Sequence, residues 1–147
     1  MANARFLTLE FAESAPIVQV ETMLFQSQGP AAPGSYFSPV GWNSGGLPAP
    51  QNVNRANLMY VAQAGTVKAM EIDSANTASD STETFTVVLN GATTAVTATV
   101  VNGTKRGSIT GQALAVAAGD NLAILYDPGA SGAIGKVQVS LRYDLTP

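Results

Sequence analysis

Two Asn-Gly pairs, Asn90-Gly91 and Asn102-Gly103, lie about a dozen residues apart, each between runs in which apolar residues alternate with polar ones. Asn-Gly is the strongest short-range signal for a two-residue type I′ turn, because both central residues of that turn need positive φ. The second half of the chain therefore reads as opening in a β-meander. No stretch of helical length carries apolar residues at a helical period, so an all-β fold is expected.

Strand-like runs fill the chain from Leu58 onward. Leu58–Ala62 leads through Gly65 into Thr66–Ile72, and a polar loop over residues 73–82 follows. Phe85, Val87 and Leu89 alternate before the first Asn-Gly pair, and Val96, Ala98 and Val100 alternate after it. Gly107 and Gly111 predict a bend or bulge within residues 107–116. Ala118-Gly119-Asp120 predicts a tight turn into Asn121–Tyr126, with glycine supplying positive φ and aspartate capping. The last run, Lys136–Leu145, alternates throughout. Val137, Val139, Leu141, Tyr143 and Leu145 point inward, and Lys136, Gln138, Ser140, Arg142 and Asp144 outward, as in a half-buried antiparallel strand. Seven or eight such strands predict a sandwich, jelly roll or barrel.

The first 57 residues differ. Residues 4–11 alternate, with Leu7, Leu9 and Phe11 on one side. Ile17–Phe25 reads as a second strand with Val18, Val20 and Leu24 sharing a face. Residues 26–57 then hold Pro30, Pro33, Pro39, Pro48 and Pro50 among several glycines, a density that disfavours both a central strand and a helix. Yet Tyr36, Phe37 and Trp42 lie there, and disordered linkers are poor in aromatics. An ordered, extended arm is expected, with its aromatics packed on its own domain or on a neighbouring subunit. The chain accordingly divides into N-terminal strands and arm over 1–57 and a jelly-roll domain over 58–147, the latter expected to keep a β core alone.

Composition limits the chemistry. A chain of 147 residues most simply makes one domain and buries roughly two thirds of its unfolded surface without metal or disulfide. There is no His and no Cys, which excludes a Ser-His-Asp triad, an imidazole or thiolate metal site and a nucleophilic thiol. No enzymatic activity, cofactor or metal is expected. Glu71 and Asp73 share a strand face, with Asp80 and Glu83 close behind. These acids read as a solvated strand end in preference to a glycosidase pair or a weak Ca²⁺ site over residues 71–83. The segment Gly129–Lys136 fails as a phosphate loop: its spacing is one residue too long, Val137 stands where Ser or Thr is needed, and a strand follows. Asn102-Gly-Thr104 matches a glycosylation sequon and is better explained as a turn.

Charge is scarce. Only 12 % of residues are charged, about half the ordinary fraction, and the net charge is −3. A monomer normally covers its surface with charge, so much of this surface is expected to meet other chains. The basic residues are scattered, with Lys105-Arg106 the one adjacent pair, which gives no nucleic-acid footprint. No apolar run reaches membrane-spanning length, so no membrane partner is expected. Met1-Ala-Asn-Ala-Arg-Phe does not resemble a signal peptide, so synthesis in a cytoplasm is expected.

From Val61 onward the order of features resembles the tumour-necrosis-factor/C1q type of jelly roll as it recurs in bacteriophage structural proteins. The residues carrying the likeness are Ala-Gly-Thr-Val-Lys-Ala-Met (64–70), Phe-Thr-Val-Val-Leu-Asn-Gly (85–91), Val-Ala-Ala-Gly-Asp-Asn-Leu-Ala-Ile (116–124) and the final alternating strand ending near Tyr143. The resemblance covers about 90 residues, 58–147, and consists of turns and strand spacing. It implies an antiparallel jelly-roll sandwich that assembles as a homotrimer. In phages such domains look like capsid decoration (cement) proteins bound to the major capsid protein in the virion, or like small fibre and receptor-binding modules that grip a cell-surface glycan. The short chain and N-terminal arm favour decoration. Leu7, Leu9, Phe11, Tyr36, Phe37 and Trp42 are the expected assembly contacts.

Overall fold

The computed structural model describes residues 19–27, 35–39, 59–74, 81–127 and 136–146. They form ten strands: β1 Val20–Ser27, β2 Ser35–Pro39, β3 Met59–Tyr60, β4 Gly65–Ser74, β5 Glu83–Leu89, β6 Ala92–Val100, β7 Arg106–Ile109, β8 Leu114–Val116, β9 Asn121–Asp127 and β10 Val137–Leu145. Every pairing is antiparallel. The first sheet runs β1-β10-β4, with β7 and β8 both paired to the far side of β4; the second runs from β2 and β3 through β9 and β5 to β6. The two sheets make an antiparallel β-sandwich, and six of the nine links between successive strands carry the chain from one sheet to the other.

Alternation sets which side chains fill the sandwich. β10 alternates without a break, and Val137, Val139, Leu141, Tyr143 and Leu145 are all buried. Across from them, Phe37, Phe85 and Tyr126 of the second sheet pack ring to ring, with centroids 5.2–5.8 Å apart. Such pairs add about 0.5–1.5 kcal/mol beyond the area they bury. β6 carries extra residues opposite Val87, where Thr94 Oγ1 donates to the Val87 carbonyl at 2.8 Å and accepts from the Val96 N–H at 3.2 Å. One carbonyl and one N–H left by that bulge are thereby satisfied.

The two Asn-Gly pairs do different work. Asn90 (φ 51°) and Gly91 (φ 82°) form the expected type I′ turn, and β5 and β6 pair directly on either side of it. At the second pair only Gly103 has positive φ (81°), with Thr104 N–H donating to the Val101 carbonyl at 2.9 Å, the pattern of a type II turn. A type II turn splays its flanking strands instead of pairing them. Consequently β6 stays in the second sheet while β7 joins β4 in the first. The expected meander ends here, and the turn is a corner between sheets. Gly107, just beyond it, lies so close to β6 that a Cβ would collide with the Thr99 carbonyl.

The N-terminal strands belong to the same sandwich. β1 pairs with β10 over its whole length and sends Phe25 into the core with no exposure. Val20 and Leu24 share a face, as the alternation predicts, but it is the outer one; Met23 and Phe25 face inward. β2 is a strand despite the surrounding prolines. Pro33 precedes it and Pro39 ends it, so no missing N–H falls within the part paired to β9. At Pro39 and Ser38 it touches β1 and at Ser35–Phe37 it joins β9, passing the chain between sheets. The sheets therefore do not divide at residue 57: residues 20–27 and 35–39 supply core and ladder to the strands that follow.

Candidate functional site

The outer face of the first sheet carries a hollow. Strand register assembles it in rows. Gln138 lies between Gln26 and Asp73, with Arg106 beyond; Ser140 lies between Leu24 and Glu71, with Ser108 beyond; Arg142 lies between Thr22 and Ala69. Short side chains (Ser108, Ser140, Ala69) make the floor, and Arg106, Gln138, Glu71 and Arg142 stand around it. The result is a hollow of about 580 Å³ adjoining a second of about 330 Å³, with Glu71 and Ser140 lining both.

Charge on this face is mostly paired. Arg106 meets Asp73 at 3.1 Å, and Arg142 meets Asp144 at 3.2 Å. The arginines in both pairs are more than half exposed, so each pair contributes about 0–1 kcal/mol and chiefly fixes side-chain direction. Glu71, between them, is exposed and makes no ion pair with a described residue. Among the described residues no three His, Cys, Asp or Glu side chains converge to hold a metal. The larger hollow is lined mostly by hydrogen-bonding groups, unlike the mostly apolar pockets that enclose small ligands, while Val20 and Ala69 add apolar surface to the smaller one.

A second polar cluster sits at one end of the sandwich. Asn90 Nδ2 donates to Asp120 Oδ1 at 2.7 Å, and Asn90 Oδ1 accepts from Asn121 N–H at 3.0 Å. Asp120 Oδ2 accepts from Ala117 N–H at 2.8 Å. One carboxylate thus ties the β5–β6 hairpin to the β8–β9 turn, where Gly119 (φ 90°) turns the chain. The Asn90 amide and the Ala117 N–H hold the Asp120 carboxyl below its ordinary pKa. Nearby, Tyr143 donates its hydroxyl to the Gln63 carbonyl at 2.8 Å. Burial, then the charges of Glu21 and Asp120, raises that phenol. Tyr60, opposite Asn121, is 59 % exposed.

The residues expected at an assembly contact separate. Phe37 is a core residue, 1 % exposed and stacked on Tyr126, so it packs on its own domain. Tyr36, its neighbour, is half-buried on the outer face of the second sheet opposite Leu125. Leu7, Leu9, Phe11 and Trp42 lie outside the described residues, as do Asp80 and residues 129–135 of the glycine-rich loop. Glu71 and Asp73 share the outer face, whereas Glu83 points into the sandwich at 1 % exposure, so these acids do not converge. The polar hollow was only half visible in the sequence. The outward residues of β10 could be read, but the register that sets Glu71 and Ser108 beside Ser140 could not.

No protein-family model matches this chain, and no curated protein is recognisably similar to it.

Proposed function

We propose that the chain is a structural virion protein, a homotrimeric decoration protein that binds the major capsid protein and stabilises a phage capsid. The observation that carries this reading is scarce charge on a β-sandwich. At 12 % charged residues, the surface lacks the coat that keeps a free monomer apart from its neighbours. Val20 and Val101, each more than half exposed, add apolar surface to be covered. The broad polar hollow on the first sheet suits a protein surface better than an enclosed substrate. The step from an assembling sandwich to a phage particle rests on the resemblance of residues 64–70, 85–91 and 116–124 to phage jelly rolls.

In this reading the protein is made in the host cytoplasm and ends on the capsid surface, with no catalytic step. Leu7, Leu9 and Phe11 tether it by adding a strand to a neighbour, since their alternation supplies the apolar face that strand addition needs. Trp42 and Tyr36 serve as anchors, because large aromatics dominate interface energetics. The test is immunogold microscopy on particles of the virus that encodes the chain. Label spread over the capsid is expected; particles without label would overturn the reading.

Tyr60 favours a second reading, a fibre or receptor-binding module for a cell-surface glycan. It sets an exposed aromatic ring opposite Asn121, beside the hydrogen-bonded Asn90-Asp120 pair, and sugar recognition uses such a ring beside polar groups. Label confined to a tail or fibre tip would decide for it.

A further inference from the structure

Both Asn-Gly turns are exposed, yet the structure holds only one of the two asparagine side chains. We infer that Asn102 is a site of spontaneous deamidation and isoaspartate formation, and that Asn90 is protected from the same reaction. An asparagine followed by glycine is the most open geometry for this chemistry, because glycine has no side chain to block approach to its backbone nitrogen. The deprotonated Gly103 nitrogen attacks Cγ of Asn102. The bond from Cγ to the amide nitrogen breaks, ammonia leaves and a succinimide forms. Water then opens the ring at either carbonyl, giving aspartate or an isoaspartyl linkage. No oxidant or further reactant is required.

The reaction needs the carboxamide to swing toward the next backbone nitrogen. At Asn90 both ends of that group are engaged: Nδ2 with Asp120 at 2.7 Å and Oδ1 with the Asn121 N–H at 3.0 Å. Both contacts must break before Cγ can meet the Gly91 nitrogen. The Asn102 carboxamide makes no hydrogen bond with a described residue. Its turn is closed by groups that leave it untouched, the Thr104 N–H and hydroxyl both donating to the Val101 carbonyl. Conversion would add a negative charge at the corner where the chain crosses between sheets. The isoaspartyl product would also lengthen the backbone there.

The test is peptide mapping by mass spectrometry of the full chain held in mildly alkaline buffer, with isoaspartyl peptides resolved by chromatography. In the folded protein Asn102 should convert about tenfold faster than Asn90, a barrier difference of about 1.4 kcal/mol. In urea the two rates should converge. Asp120→Ala should raise the Asn90 rate toward that of Asn102, and Asn102→Ser should abolish the product at the corner. If Asp120→Ala does not fold, the comparison of folded with urea-unfolded wild-type chain decides alone. Equal rates in the folded protein, or Asn102 intact while the unfolded chain converts, would overturn the inference.

Discussion

Gly107 stands where no side chain fits, because a Cβ there would strike the Thr99 backbone where the two sheets meet. Backbone cannot move aside as a side-chain end can. Gly107→Ala should therefore cost about 1–3 kcal/mol, read as a fall in the denaturation midpoint. On β10 the facing is equally strict. Leu141→Asp puts a charge among fully buried neighbours and should cost several times more than the roughly 0.5 kcal/mol ceiling expected for Arg142→Ser on the exposed side. Equal shifts for both would mean the strand faces the other way. Asp120 makes a prediction in pH. Its folded pKa is lowered, so its contribution is present above the ordinary value of 3.8 and is lost as pH falls through the folded pKa below that. The stability gap between wild type and Asp120→Ala should be steady at neutral pH and narrow in that acid window. A gap unchanged down to the lowest pH would show that the carboxylate does not hold the two turns together.

At the scale of elements, the sequence was most legible where one rule acted alone. β10 is read directly from its alternation, because period-two patterning on a half-buried strand has no competing explanation. The β5–β6 hairpin is equally legible from Asn90-Gly91. The second Asn-Gly pair departs from the expected hairpin because the dipeptide permits positive φ at both residues without requiring it, and here Gly103 alone adopts it. Whether Asn102 adopts positive φ depends on where β7 finds its partner, and that partner, β4, lies more than thirty residues earlier in the chain. β2 was hidden for a related reason: prolines at the borders of a five-residue strand look like prolines against it. Phe37 illustrates the ambiguity of an aromatic in a proline-rich segment. Composition said it must pack on something, and only the pairing of β2 with β9 decides that it packs on Phe85 and Tyr126.

For the whole molecule, β1 and β2 place Phe25 and Phe37 at the centre of the core, so the chain should not survive division at residue 57. Losing either ring to alanine should cost about 3–5 kcal/mol. Removing residues 1–57 takes both, together with the entire β1–β10 ladder, and should leave an unfolded chain by circular dichroism. Removing residues 1–17 spares every described strand and should leave the fold intact while weakening assembly, which isolates Leu7, Leu9 and Phe11 from the core. A folded 58–147 fragment would show that the sandwich closes without its N-terminal strands. The central proposal is that this sparsely charged sandwich assembles with other chains, beginning with copies of itself. Light scattering on the purified full-length protein at micromolar concentration tests it most directly. Three chains of 15.1 kDa should scatter as a particle of about 45 kDa that persists on dilution. A monodisperse species at 15.1 kDa would contradict the account.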